Sequence, residues 1–237
     1  MPEKKKALNL YTSKEKQMDV LKAIIFGGTI GLILRWVFQP LTPIPIKSKV
    51  VEIHMTANTK QEATESLSTY RQTLTMPLPH KGTCSGEFID EKGDVLTAKH
   101  CVNGFNEFEV ITSDQSVYKA SVVKISQSHD LALLHISRSH TPYFKLANGV
   151  ERGEKISILG SPLGITDTLS TGIVAKLDGD VTLLDCSALP GNSGGPVFNK
   201  YGHLVGMVNA NFLVFFGVTH LSLAQSLDAI RFFLFYE

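Results

Sequence analysis

Tryptophan, cysteine and net charge are all scarce in this sequence. Its 237 residues include one Trp and three Cys, and the formal net charge is only +1. A balanced charge of this kind argues against nucleic acid as a partner. No internal repeat of 20–50 residues is visible, which argues against a solenoid. The composition, 43% hydrophobic, is that of a globular chain long enough for one or two domains with a real core.

Long hydrophobic runs are also rare, with one exception near the start. Residues 20–38 read VLKAIIFGGTIGLILRWVF, and no charge lies between Ala23 and Leu34. A helix of this length spans roughly 28 Å, close to the thickness of the hydrocarbon core of a bilayer. A buried core helix and a cleaved signal peptide are the alternatives, although RWVFQPLTPIP offers no small-residue cleavage site. The run predicts an uncleaved, single-pass transmembrane anchor.

The charges around this run predict its orientation. Six lysines precede Ala23, so the positive-inside rule makes residues 1–19 a cytoplasmic tail. The rest of the chain is then expected on the exported side, periplasmic or extracytoplasmic. Residues 39–75 are predicted to form a proline-containing stalk followed by a short amphipathic helix at 59–74.

The remaining body, residues 76–237, is rich in short apolar runs separated by turn signals. The runs include FEVIT, ASVVKI, LALLHI, KISILG, STGIVAKL, VTLLD, PVFN and HLVGMVN. Many short strands at this spacing predict an all-β barrel or sandwich. The last stretch, SLAQSLDAIRFFLFYE, has helical spacing of its apolar residues and predicts a C-terminal helix docked on the barrel.

The segment PGNSGGP, residues 190–196, surrounds Ser193 with glycines. A serine nucleophile needs a base within hydrogen-bond reach and donors for the oxyanion that it creates. Glycine lets the backbone turn sharply, so the N–H groups of Gly191 and Ser193 can point at one oxygen. A glycine-rich β-turn without chemistry is the alternative interpretation.

A base and a carboxylate precede that serine in the chain. His100 follows a strand-like run in VLTAKHCV, and Asp130 stands directly before the apolar strand of SHDLALLHI. A carboxylate at the start of a buried strand is costly unless it is paired, and a protonated ring nitrogen is a natural partner. The order His100, Asp130, Ser193 therefore indicates nucleophilic catalysis.

Five motifs between Gly82 and Phe233 together resemble chymotrypsin-fold serine proteases, most closely the Deg/HtrA-like branch. Beside the three segments above, these are LGSPLGITDTLSTGIVAKL and FGVTHLSLAQSLDAI. The resemblance implies two six-stranded Greek-key barrels of chymotrypsin type with a C-terminal helix, and no PDZ-sized segment follows them. It implies that Ser193 is the nucleophile, His100 the general base and Asp130 its orienting group, with Gly191 and Ser193 forming the oxyanion hole. It implies no metal and no cofactor.

The same resemblance extends to a disulfide and a substrate pocket. Cys84 and Cys101 resemble the histidine-loop disulfide of trypsin-like proteases, with two reduced, buried thiols as the alternative; Cys186 is then left to pack as a small apolar residue. The resemblance places the pocket for the residue before the scissile bond at Ser187, Asn209, Ala210, Asn211 and Gly217. Ser187 at the pocket floor is not acidic, so a preference for Lys or Arg is not expected.

The predicted function is a membrane-anchored serine endopeptidase that acts on proteins or peptides through an acyl-enzyme. Two alternatives stay open. One is a viral or phage maturation protease of narrow specificity. The other is a catalytically silent, membrane-tethered binding module, which would have no need of an intact set of His100, Asp130, Ser193 and Gly191.

Overall fold

The structure, a computed structural model, describes residues 46–57, 81–209 and 220–237. The predicted cytoplasmic tail, the transmembrane anchor at 20–38 and the amphipathic helix at 59–74 lie outside the described residues. Within the described ranges, no helix has both the length and the hydropathy needed to cross a bilayer.

Six antiparallel strands close the first barrel. In chain order they are β1 (Val50–Thr56), β2 (Lys81–Phe88), β3 (Asp94–Thr97), β4 (Glu107–Ile111), β5 (Val117–Ile125) and β6 (Ala132–Ile136). Their order around the barrel is β1-β2-β3-β6-β5-β4. This is a Greek-key arrangement, because the chain makes two hairpin steps and then crosses to the far side before it returns.

Six further strands close the second barrel. They are β7 (Lys155–Gly160), β8 (Thr168–Asp178), β9 (Val181–Asp185), β10 (Pro196–Asn199), β11 (Leu204–Val208) and β12 (Leu221–Ser226). Their order, β7-β8-β9-β12-β11-β10, repeats that of the first barrel. The prediction of two six-stranded barrels is confirmed.

The first barrel starts earlier in the chain than the sequence pattern predicts. Val50–Thr56 pairs with both β2 and β4, so it belongs to the barrel and not to a stalk that continues to residue 75. Its sequence, VVEIHMT, alternates buried and partly exposed residues with a period of two, as a half-buried strand does. Cys84 consequently lies inside the second strand of the barrel.

The C-terminal helix α1 (Leu227–Phe235) packs against the barrels. Its N-cap is Ser226, whose hydroxyl accepts a hydrogen bond from the N–H of Ala229 at 3.1 Å. Ala229, Ile230 and Phe233 are fully buried in the same apolar cluster as the core of the first barrel. The helix therefore leaves the second barrel and completes the core of the first, as the predicted docking of a terminal helix requires.

Candidate active site

His100 lies just after the C-terminal end of strand β3 in the first barrel. β3 ends at Thr97, and Lys99–Cys101 form a short 3-10 turn directly after it. Ala98 and Cys101 on either side are fully buried, whereas the His100 side chain is 40% exposed. The buried neighbours fix the backbone, and the imidazole is presented at the surface.

Asp130 holds His100 at two points. One carboxylate oxygen accepts the backbone N–H of His100 at 2.9 Å, and the other lies 2.7 Å from ring Nδ1. Burial by itself would raise the pKa of Asp130, but the hydrogen bonds from His100 outweigh it and hold that pKa below its usual value. An ionised carboxylate only accepts hydrogen bonds, so in the neutral imidazole the ring proton belongs on Nδ1 and the lone pair on Nε2.

Ser193 and Gly194 lie in the loop before β10, and their backbone groups are bonded to both barrels. Its carbonyl oxygen accepts the N–H of Ser85 in the first barrel at 2.9 Å. The next residue, Gly194, donates its N–H to the carbonyl oxygen of Val208 in the second barrel at 2.8 Å. The loop is therefore fixed where the two barrels meet, and Ser193 is 8% exposed.

The peptide between Pro190 and Gly191 has a defined orientation. The carbonyl oxygen of Pro190 accepts the N–H of Leu163 at 2.7 Å, and Gly191 has a φ of +101°. In a trans peptide the N–H points opposite to the carbonyl, so the Gly191 N–H points away from Leu163. Within the described ranges, the N–H groups of Gly191 and Ser193 donate to no protein acceptor. Both N–H groups are therefore available to an acceptor from outside the described residues.

Ser85 is a site residue that sequence reasoning missed. Its hydroxyl donates to the carbonyl oxygen of Gly191 at 2.8 Å and accepts the N–H of Ser161 at 3.0 Å. The side chain thus joins β2 to Gly191, in the loop of Ser193, and to the turn after β7. A small polar residue inside a strand was the only signal, and its partners lie 76 and 106 residues away.

The predicted disulfide between Cys84 and Cys101 is confirmed. The two Cα atoms are 6.2 Å apart, and Sγ of Cys101 lies 3.9 Å from the carbonyl oxygen of Ser193. The bridge joins β2 to the turn that carries His100. Both sulfurs lie within 4.8 Å of a ring nitrogen of His100, but a disulfide offers no thiolate, so the oxidised cluster is not a metal site. Cys186 is a free, buried thiol whose pKa burial raises to about 11.

The predicted substrate pocket is only partly described. Ser187 is exposed in the segment leading to the nucleophile loop. Asn209 follows β11 and donates its N–H to Leu223 at 2.9 Å. Ala210, Asn211 and Gly217 lie outside the described residues, so the pocket stays a prediction.

Known proteins share this architecture. The model of the trypsin-like peptidase domain family matches residues 84–207. The chain is 34% identical over 154 residues to "Probable periplasmic serine endoprotease DegP-like" of Pseudomonas savastanoi, which covers 61% of this chain and 32% of that protein. It is 31% identical over 146 residues to "Protease Do-like 1, chloroplastic" of Arabidopsis thaliana, which covers 55% and 33%. The chain thus spans about a third of the length of these curated relatives.

A solved structure, the serine endoprotease from Yersinia pestis, is similar in fold. It superposes with a TM-score of 0.62 at 22% sequence identity, over 78% of this chain and 61% of that chain. At this identity the likeness shows the fold alone. The family match and the curated relatives confirm the resemblance to the Deg/HtrA-like branch: the chain belongs to the trypsin-like peptidase domain family of serine proteases.

Proposed function

We propose that the chain is a serine endopeptidase that hydrolyses peptide bonds through an acyl-enzyme. The observation that carries the proposal is the double hydrogen bond from His100 to Asp130, at 2.7 and 2.9 Å, beside a nucleophile loop fixed to both barrels. The membership of the trypsin-like family supports it.

In this mechanism the free lone pair of His100 Nε2 accepts the hydroxyl proton of Ser193 while Oγ attacks the substrate carbonyl. Asp130 remains ionised and stabilises the imidazolium that forms. The N–H groups of Gly191 and Ser193 donate hydrogen bonds to the carbonyl oxygen as negative charge develops on it. They are already oriented, so no reorganisation is needed.

The second half of the reaction reverses these roles. His100 donates its proton to the leaving amine, and the amine departs with the formation of the Ser193 ester. A water molecule then loses a proton to His100 and attacks the ester. Collapse of the second tetrahedral intermediate returns the proton to Ser193 and releases the carboxylate product.

We propose further that residues 20–38 anchor this body to a membrane, with residues 46–237 on the exported side. The uncharged apolar run and the six preceding lysines support this arrangement. The disulfide also supports it, because such bonds persist in oxidising compartments. Accessibility of the body to an added protease in intact and inverted membrane vesicles tests the orientation, and a chain extracted by alkaline carbonate would contradict the anchor.

The experiment that tests catalysis compares the full chain with its Ser193→Ala variant, both in mild detergent. Each is treated with a fluorophosphonate probe and offered unfolded casein. Labelling and cleavage by the unmodified chain alone are the expected result. Labelling without casein cleavage would favour a maturation-type protease of narrow specificity. A folded chain that is not labelled would favour a binding module.

A further inference from the structure

His129, the residue directly before Asp130, is nearly buried although it lies in a surface loop. Residues 126–130, the Asp130 loop, connect β5 to β6. The side chain of His129 is 10% exposed, against 40% for His100. The proposed mechanism assigns no step to it. Its ring nevertheless contacts side chains of the C-terminal helix, of the second barrel and of the Asp130 loop itself.

The contact with the helix is aromatic. The rings of His129 and Phe232 lie edge to face, with centroids 5.8 Å apart and planes at 66°. This is a favoured geometry for two aromatic rings. It places the imidazole against α1, an element that follows the second barrel in the chain.

The contact with the second barrel is polar. Ring Nε2 of His129 lies 3.4 Å from Oδ2 of Asp180, in the turn between β8 and β9. The backbone of Asp180 is fixed as well, because its carbonyl oxygen accepts the N–H of Ser226, the N-cap of α1, at 2.9 Å. The Asp180 carboxylate is 69% exposed, so the pair contributes little to stability. Its importance lies in its position, because it joins the Asp130 loop directly to the second barrel.

The third contact orients the ring within the loop. Nδ1 of His129 lies 2.8 Å from the hydroxyl of Ser128, and that hydroxyl donates to Oε1 of Glu237 at 3.1 Å. A hydroxyl has one proton, so the Ser128 oxygen faces the ring as an acceptor and Nδ1 donates to it. The same oxygen of Glu237 also accepts the N–H of Gln127 at 3.0 Å. The segment after α1 thus helps to set the orientation of the imidazole.

These contacts converge on the residue that precedes the predicted orienting carboxylate. Asp130 holds His100 at 2.7 and 2.9 Å, and a small displacement of such a group is costly for catalysis. On the other side of Asp130, Leu131 is fully buried in the core of the first barrel. Asp130 is therefore held from one side by the core and from the other by the surroundings of the His129 ring.

We propose that His129 is a positioning residue that ties Asp130 to the second barrel and to the C-terminal helix. It acts only through Asp130, and it makes the geometry of the His100–Asp130 pair, which lies within the first barrel, depend on Asp180 in the second. This inference rests on the proposed peptidase function and deepens it by adding a residue to the support of the site.

The test uses three single variants and one double variant of the full chain in mild detergent. His129→Phe keeps an aromatic ring beside Phe232 and removes both polar contacts of the imidazole. Asp180→Ala removes an exposed carboxylate, and the third variant combines it with His129→Phe. Asp178→Ala is the matched control, because its carboxylate is 70% exposed, lies in the same hairpin and pairs with Lys176 instead. Thermal unfolding checks that each variant is folded.

Two measurements are made on each variant. One is kcat and KM on a coumarin amide whose peptide is taken from a cleavage site mapped in casein. The other is the rate of labelling by the fluorophosphonate probe, which reports on the activation of the nucleophile. We expect His129→Phe to lose about 3- to 10-fold in kcat and in labelling rate, the size of effect of one hydrogen bond, with KM unchanged. Asp180→Ala should lose about 2- to 5-fold.

The double variant should be no slower than His129→Phe alone, because the effect of Asp180 passes through the histidine. Additive losses in the double variant, a change confined to KM, or an Asp180→Ala variant as active as Asp178→Ala would overturn the positioning role. Asp180→Ala decides this even if His129→Phe is unstable. An unmodified chain that neither cleaves nor is labelled would instead overturn the peptidase function.

Discussion

The Nζ atom of Lys99 donates a 2.7 Å hydrogen bond to the carbonyl oxygen of Ser126. Lys99 directly precedes His100, and Ser126 begins the loop that leads to Asp130. Ser126 is itself fully buried, and its hydroxyl accepts the N–H groups of Ser128 and His129. This bond fixes the histidine turn relative to the aspartate loop.

Replacing Lys99 by Met should therefore reduce catalysis without weakening substrate binding. A hydrogen bond to a charged group contributes about 1.5–3 kcal/mol, so a fall of about 10-fold in kcat with little change in KM is expected. Steady-state kinetics on a coumarin amide measure both. Lys92→Met, in an exposed turn, is the control. An equal loss of activity in both variants would show that the effect does not arise from the hydrogen bond of Lys99 to Ser126.

Replacing Gly191 by Ala should abolish most of the activity. The new Cβ would meet the carbonyl oxygen of Ser161, and the Gly191 φ of +101° is unfavourable for alanine. The N–H must then turn away from the predicted position of the oxyanion. The loss of one such donor costs about 10²–10³-fold in kcat. Gly153→Ala is a matched control, because Gly153 also has a positive φ, +84°, but nothing lies within 4 Å of its added Cβ. If Gly153→Ala lost as much activity, backbone strain and not the oxyanion geometry would be responsible.

Removing the disulfide should destabilise the chain and disturb the site together. Cys84 and Cys101 are separated by 17 residues, for which the chain-entropy model gives about 3 kcal/mol. Denaturant unfolding of the Cys84→Ala/Cys101→Ala variant should show a loss of that size, with a fall in kcat because the bridge supports the His100 turn. Cys186→Ala keeps the bridge and serves as the control. A double variant as stable as the unmodified chain would contradict the structural role.

Glu87 should make the chain less stable as the pH rises. It is fully buried on β2, neither of its carboxylate oxygens has a hydrogen-bond partner in the described part of the chain, and burial raises its pKa well above the usual value. The folded state thus holds its proton more tightly than the unfolded chain. The stability present at low pH is therefore lost as the pH rises from the ordinary glutamate pKa through the folded-state pKa.

Two substitutions separate the charge of Glu87 from its polarity. Glu87→Gln removes only the ionisation, so its free energy of unfolding should match that of the unmodified chain at pH 4 and exceed it at pH 9. Glu87→Met also removes the unsatisfied polar group and should be more stable by about 1–3 kcal/mol at pH 8. Denaturant unfolding across this pH range measures both. Parallel stability curves for Glu87→Gln and the unmodified chain would show that Glu87 does not titrate as a buried group.

Local patterns in the sequence are sufficient to predict most of the strands of the fold. Strands such as Ala132–Ile136 and Leu204–Val208 are short, apolar and bounded by turn signals, and the structure has them where the pattern predicts. Val50–Thr56 escapes prediction although it alternates correctly, because a proline-containing segment precedes it and 24 residues separate it from its partner strand β2. Pairing at that distance leaves no local signal.

The candidate site likewise contains residues that local segments predict and residues whose partners are distant in the chain. His100, Asp130 and Ser193 stand in recognisable segments, so these segments alone predict that the three side chains belong to one site. The hydroxyl of Ser85 acts through Gly191 and Ser161, which lie 106 and 76 residues away, so its role is not encoded in neighbouring residues. The left-handed backbone of Leu163, with a φ of 54°, likewise follows from the hydrogen bonds of the turn at 161–165, since leucine has no preference for that conformation.

The packing of α1 into the first barrel determines when that barrel can complete its core during synthesis. A ribosome delivers the strands of the first barrel, which end at Ile136, about 90 residues before it delivers Leu227–Phe235. Until then the nascent barrel lacks Ala229, Ile230 and Phe233 and exposes the apolar surface that they later cover. The loop before Asp130 also contacts the segment after the helix, because the N–H of Gln127 donates to the carboxylate of Glu237 at 3.0 Å. A nascent chain that ends before α1 therefore lacks part of the apolar core of the first barrel and one of the contacts of the loop that leads to Asp130.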